Sequence, residues 1–387
     1  MLQKNIMLLL LLSGVVAAQS FQEFQKKALH LSPYLKANQL ETAKAQERNA
    51  IVQRYKNPTL ALEVSQFDDS LSKEKGYRAA LSQPLRLWGV GDDIQNYTDA
   101  TMNETNTFVQ LQRAEFIREL SLLYIEYVSA SKLYKLAQES LGVAQKIEKI
   151  SQERFEAGTI ARVKYLQARL ESAKMKNIVD AKRVQKVACY YRLLRFSGLQ
   201  ELDTLQTDYR FEPFNGSKDP LSIAYLESQR KTALSKAQLL ENKVQWLNLY
   251  GEYEKEPDQN ILRVGIEVPL AVFNTKKEER SLAKLKAQQS VLMVENEKRL
   301  LSHTLRALQE GRTALEQLLI STQELYLSQR ELLGMYEDGY KIANVNLLEL
   351  QSIKNEMIQT QEKKIQLEKK IQQNIVQHNY VTGAYNE

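Results

Sequence analysis

Residues 59–67 read TLALEVSQF and residues 77–88 read YRAALSQPLRLW. In the first segment Leu60, Leu62 and Val64 share one parity, with Ala61, Glu63 and Ser65 on the other. In the second, Tyr77, Ala79, Leu81, Leu85 and Leu87 alternate with Arg78, Ala80 and Ser82. Successive side chains of a strand point to opposite faces, so this period of two predicts a β-hairpin with one apolar face, its polar turn at 68–76. A second hairpin is predicted at 245–273. Leu247, Leu249 and Tyr253 alternate with Asn248, Tyr250 and Glu252, and 254–260 form a polar turn. In the returning segment Leu262, Val264, Ile266, Val268, Leu270 and Val272 stand opposite in parity to Arg263, Gly265 and Glu267.

Around the hairpins the period changes. Ile117, Leu120, Tyr124, Tyr127, Tyr134 and Leu141 are spaced by threes and fours or their sums, and so are Leu301, Leu305, Leu308, Leu315, Leu319 and Tyr326. Proline is absent from 85–212 and from 270 onward, so long amphipathic, coiled-coil-like helices are predicted. The hairpins end alike, Pro84-Leu85-Arg86-Leu87-Trp88 against Pro269-Leu270-Ala271-Val272-Phe273. Downstream, Arg154-Phe155-Glu156-Ala157-Gly158 matches Met335-Tyr336-Glu337-Asp338-Gly339, and the offset between the glycines nearly equals that between the prolines. Two landmarks at one period indicate an internal duplication. The expected organisation is a first repeat over 19–200, a linker over 201–220 and a second repeat over 221–387. Each repeat runs helix, hairpin, long helix, glycine turn and returning helix.

The chain has 387 residues, a formal net charge of +6 and a single cysteine. One cysteine excludes an internal disulfide framework and a cysteine-built zinc site. Residues 1–18 carry Lys4, an apolar run and Val16-Ala17-Ala18, the layout of a cleaved secretory signal. Beyond it no stretch approaches the roughly 18 apolar residues of a spanning helix. His30, His303 and His378 are widely separated, and Gly89-Val90-Gly91 lacks the third glycine of a dinucleotide fingerprint. No catalytic constellation emerges, no cofactor is implied, and no basic, aromatic-interleaved patch points to nucleic acid. Gly89 and Gly91 read as a hinge where a strand enters a long helix.

Strands of this length with a continuous apolar parity suit tilted transmembrane β-strands, and Glu63, Arg78, Arg263 and Glu267 on the other parity suit a wet lumen. Trp88 and Phe273 would lie at the lipid boundary, where amphipathic rings are favoured. A soluble hairpin packing its apolar face on helices is the alternative. Four strands cannot close a channel-sized barrel, and an open sheet edge is not tolerated in lipid, so a membrane reading requires several chains sharing one barrel.

From about residue 21 to 383 the sequence resembles the TolC-type outer-membrane efflux proteins. The resemblance rests on Lys56-Asn57-Pro58-Thr59-Leu60 entering a strand, on Val264-Gly265-Ile266-Glu267-Val268-Pro269-Leu270, and on the two glycine motifs, in that order and spacing. It implies a mostly α fold with transmembrane β: a homotrimeric 12-stranded outer-membrane barrel continued by a helical periplasmic tunnel. A helix over 92–153 would measure about 90 Å at about 1.5 Å per residue. The resemblance further implies a passive exit duct docked by a periplasmic adaptor and an inner-membrane pump, with Gly158 and Gly339 at the docking tips. Tyr336 and Lys341 then fall in the gate-tyrosine and gate-cation places, and Asn346 and Glu349 where carboxylates ring the entrance. Two departures stand out. Asn346 removes one acidic ring, and Lys164 stands where an acidic partner for Lys341 is expected, so that pair would repel.

The competing class is a secreted or periplasmic coiled-coil structural protein or adaptor subunit. An adaptor would carry β-rich domains flanking one helical hairpin, and a soluble coiled coil has no need of four strands with apolar alternation.

Overall fold

The computed structural model describes residues 19–68, 73–201, 205–216, 218–342 and 345–386, and of Lys341 the backbone alone. The expected signal segment 1–18 and the tip of the first hairpin lie outside the described residues. The element order is α1 (Phe21–Leu31), α2 (Pro33–Gln53), β1 (Thr59–Asp68), β2 (Lys73–Arg86), α3 (Val90–Glu156), α4 (Arg162–Ser197), α5 (Leu221–Leu239), β3 (Trp246–Lys255), β4 (Asn260–Glu267), α6 (Lys277–Lys341) and α7 (Leu347–Val381). No helix among the described residues is long and apolar enough to cross a membrane. Contacts divide the chain into two compact units, neither of which coincides with a sequence repeat. One takes the chain up to Lys36 with Glu115–Asn215 and Leu305–Tyr380; the other takes Ala37–Ala114, Gly216–Thr304 and Val381–Glu387.

In the first unit an aromatic core gathers at the start of α1. Ser20 and Glu23 form a reciprocal capping box, each side chain satisfying the other's backbone N–H. The cap sets Phe21 into a cluster whose ring centroids lie 4.7 Å from Tyr124, 4.8 Å from Phe211 and 5.2 Å from Tyr209. The Tyr124 hydroxyl donates to the Gln206 carbonyl at 2.5 Å, so its polar end is satisfied inside the core. Gly198 ends α4 at φ 73°, and a Cβ there would lie 2.6 Å from Pro33 Cδ. Only glycine meets both demands. A second cluster gathers Ile147 of α3, Ala168 of α4, Leu333 and Tyr340 of α6, and Leu347, Leu350 and Ile353 of α7.

The second unit holds the sheet, four antiparallel strands in the order β1-β2-β3-β4. Strand β2 pairs with β3 from Tyr77↔Lys255 to Arg86↔Trp246, joining the two hairpins. Two expectations shift here. Strand β4 stops at Glu267, so Val268, Leu270 and Val272 are not strand residues and Phe273 is not its end. The following Pro269 cannot donate to a ladder. Strand β2 includes Pro84 because that residue lies past Thr59↔Ser82, where β1 begins and no ladder is needed on that side. It ends at Arg86, leaving Trp88 just outside and almost wholly exposed.

Candidate functional site

Register sorts the sheet into two faces. Leu60, Leu62, Val64, Tyr77, Leu81, Leu249, Tyr253, Leu262, Val264 and Ile266 share one face, and all are exposed; Leu62 is 72% and Val264 74% accessible. Among the described residues nothing packs on the apolar sheet face, which does not fit the alternative of a hairpin docked on helices. The opposite face carries the charges. Glu63 accepts from Arg78 at 3.0 Å, and Arg78 donates to Glu252 at 2.5 Å. Glu252 also pairs with Arg263, which reaches Glu254 at 2.6 Å. Glu267 accepts from the Asn248 amide at 3.3 Å. The expected lumen residues Glu63, Arg78 and Arg263 thus belong to one ion-pair row across four strands, while Glu267 stands apart from it.

The hub of that row, Glu252, was absent from the expected lumen set although its parity marked it. It is only 6% exposed and holds both arginines. Its partners lie in different strands, and nothing local to residue 252 signals them. Glycines make room on this face: a Cβ at Gly265 would lie 2.7 Å from the Tyr250 ring, and one at Gly76 2.7 Å from Phe67.

The helix ends of the other unit carry the expected gate residues. Gly158 closes α3 in the left-handed conformation, φ 70°, with Thr159 N–H donating to the Arg154 carbonyl at 2.9 Å. Gly339 differs. It lies inside α6 rather than in a turn, and a Cβ there would come 2.5 Å from Val345 Cγ2. The matched glycines therefore serve two needs, one conformational and one steric, and the expected second glycine turn gives way to a connection after Lys341. The Lys341 side chain lies outside the described residues, so its pairing with Lys164 has no structural reading.

Tyr336 is half-buried against the second cluster. The tyrosine engaged in hydrogen bonding is Tyr340, one turn on: buried, its hydroxyl lies 2.9 Å from Ser151 Oγ. Arg154 donates to the Tyr340 carbonyl at 3.1 Å and holds its guanidinium 5.0 Å from the ring centre. These contacts tie the end of α3 to the end of α6. Asn346 caps α7: its Oδ1 accepts from Leu348 N–H at 3.2 Å and its carbonyl from Leu350 N–H at 3.2 Å. Glu349 is exposed in the first turn of α7, where the helix dipole favours a carboxylate. Deeper along α7, Lys354 is 1% exposed, with Nζ 3.4 Å from Glu171 Oε1 of α4. Burial pushes its pKa down, and the Glu171 carboxylate offsets part of that shift.

No protein-family model and no curated protein matches the sequence. Solved structures do. The outer-membrane channel OprN superposes with a TM-score of 0.78 at 15% identity, covering 95% of this chain and 90% of that one. CusC, described by its transmembrane channel formation, gives 0.78 at 14% identity over 93% and 91%. The Campylobacter jejuni CmeC outer-membrane channel gives 0.76 at 15% identity over 94% and 85%. At such identities the likeness establishes the fold, and over nearly its whole length this chain has the fold of the TolC-type outer-membrane channels.

Proposed function

We propose that this protein is the outer-membrane exit duct of a tripartite efflux or export system. Three copies would share one 12-stranded barrel, each contributing the four strands β1 to β4, with the helices forming a periplasmic tunnel. The observation that carries this reading is the sheet itself: an exposed apolar face, a charged face opposite, and two edges left open among the described residues. In water such a face is a liability. In a bilayer, lipid covers the apolar face, further strands satisfy the edges, and the charged face lines an aqueous lumen. Trp88 and Phe273, both almost fully exposed, would sit at the lipid boundary.

Conduction is passive, with no catalytic step and no cofactor. A periplasmic adaptor would dock at the helix ends around Gly158 and Gly339, and an inner-membrane pump would supply energy. Tyr336, Lys341, Asn346 and Glu349 would lie at the periplasmic entrance. Among them Glu349 combines exposure with the carboxylate that a cation-concentrating ring requires. Fractionation with chemical cross-linking tests the reading. Recovery in the outer membrane as a trimer supports it; a soluble periplasmic monomer or dimer overturns it. Glu349→Ala should alter cation block in bilayer recordings, and unchanged block removes Glu349 from the entrance.

A further inference from the structure

The charged row of the sheet alternates in sign from one edge to the other: Glu63 on β1, Arg78 on β2, Glu252 on β3, Arg263 on β4. It begins in a carboxylate at one open edge and finishes in a guanidinium at the other. Among the described residues no strand pairs with the outer edge of either β1 or β4. Glu63 and Arg263 keep their side chains 60% and 44% accessible at those edges, with Arg78 at 40% and only Glu252 buried. The strands β1 and β4 run antiparallel to each other, since each successive strand reverses. The outer edge of β4 is thus complementary to the outer edge of β1 in a second copy of the chain.

We infer that Arg263 pairs across the seam with the partner's Glu63, and that this ion pair sets the register of the joint between copies. The inference rests on the duct reading and specifies how its barrel closes.

Parity and closure fix the register. Only an even shift keeps charged residues on one face and apolar residues on the other. Barrel strands tilt by about 35–45°, and for a 12-stranded barrel that makes a row of paired residues climb by about four to six residues per copy; of the even values, about four keeps every residue of β4 opposite one of β1. The direct partners of Glu63 lead through Arg78 and Glu254 to Ile261. A climb of that size places Ile261 opposite the partner's Phe67 and Arg263 opposite the partner's Ser65. The opposite sense would leave β1 and β4 almost no overlap. In this register the partner's Leu62 faces Ile266 and the partner's Val64 faces Val264, continuing the apolar band. Arg263 then reaches the partner's Glu63 diagonally, past Gly265. The chain already makes that step internally: Arg78 stands opposite Glu254 yet binds Glu252, two residues away, at 2.5 Å.

The test is cysteine cross-linking in full-length Cys189→Ser protein, whose trimer is first verified in the outer membrane. Val64→Cys combined with Val264→Cys leaves the charged row intact. Oxidation should give covalent dimers and trimers that collapse on reduction, while Leu62→Cys or Gln66→Cys with Val264→Cys should give little product. Glu63→Gln or Arg263→Gln in the cross-linking background should lower the yield and spread it to the shifted pairs. Arg78→Gln, which removes Glu63's partner within the chain, should not. A trimer that cross-links in another register, or whose yield and register ignore Glu63→Gln, overturns the seam pair and leaves the duct reading standing. Absence of any outer-membrane trimer in the Cys189→Ser protein overturns both.

Discussion

Gly89 and Lys276 occupy the same place in the two halves of the chain. Each immediately precedes a long helix in the left-handed conformation, with φ of 74° and 56°, and each carbonyl accepts the first helical hydrogen bond, from Asp93 and Arg280. The return from sheet to helix needs one left-handed residue in each repeat. Glycine meets that need without strain; lysine does not.

Gly89→Ala should therefore destabilise the protein by about 1 kcal/mol through backbone strain alone, since a Cβ there meets nothing within 4 Å. Lys276→Gly should be neutral or stabilising, by under about 1 kcal/mol, because relief of strain is offset by loss of the 3.3 Å Nζ bond to the Asn242 carbonyl. Denaturation midpoints of the two variants check the opposite signs.

Glu252 holds Arg78 and Arg263 together, so Glu252→Gln removes one negative charge from the row and leaves each arginine a single carboxylate, Glu63 for Arg78 and Glu254 for Arg263. If that face lines the conducting lumen, the reversal potential under a salt gradient shifts toward anion selectivity. An unchanged reversal potential would place the row outside the conduction path.

The Ser151–Tyr340 bond is buried; Ser151 Oγ also donates to the Ile147 carbonyl at 2.8 Å, so it is the Tyr340 hydroxyl that is poorly served without its partner. Tyr340→Phe and Ser151→Ala should each cost about 1 kcal/mol. The double variant should cost little more than one of them, because both remove the same bond. Hydrogen exchange at the end of α6 measures the loosening; fully additive losses would show that the contact is not shared.

Lys354 gives a pH signature with a definite sign. Its folded pKa lies below the ordinary lysine value, so between the two values the unfolded chain binds the proton more readily. Stability of the α4–α7 contact should rise with pH on approaching the ordinary lysine pKa of about 10.4. Lys354→Met should flatten that slope. Glu171→Leu alone, leaving a buried ammonium unpaired, should cost about 3 kcal/mol. The double replacement Lys354→Met with Glu171→Leu should be neutral or stabilising, as hydrophobic replacements of buried pairs often are. A slope that survives Lys354→Met assigns the titration elsewhere.

Gly339→Ala should disturb the α6–α7 connection through the clash with Val345, and Val345→Ala should rescue it. Gly158→Ala should cost about 1 kcal/mol through its left-handed backbone, and no neighbouring truncation should rescue it, because nothing lies within 4 Å. Thermal midpoints of the single and paired variants separate the two mechanisms.

The alternation in TLALEVSQF was enough to predict strands with one apolar face, and the spacing of Leu120, Tyr124 and Tyr127 enough to predict long helices, because both periods are local properties of the backbone. Matching hairpin ends and glycine motifs pointed to a duplication for the same reason. What the tertiary structure alone decided concerns partners distant in sequence. Glu252 became the hub of the charged row because two strands from different halves bring Arg78 and Arg263 to it. Tyr340, rather than Tyr336, met Ser151 because helix packing selected one turn of α6 over the next. Gly339 proved to be a point of close approach, where its match to Gly158 had suggested a turn. A sequence specifies which faces side chains occupy through short-range periodicity, but which groups meet on those faces depends on long-range register, and register exists only once the chain has folded.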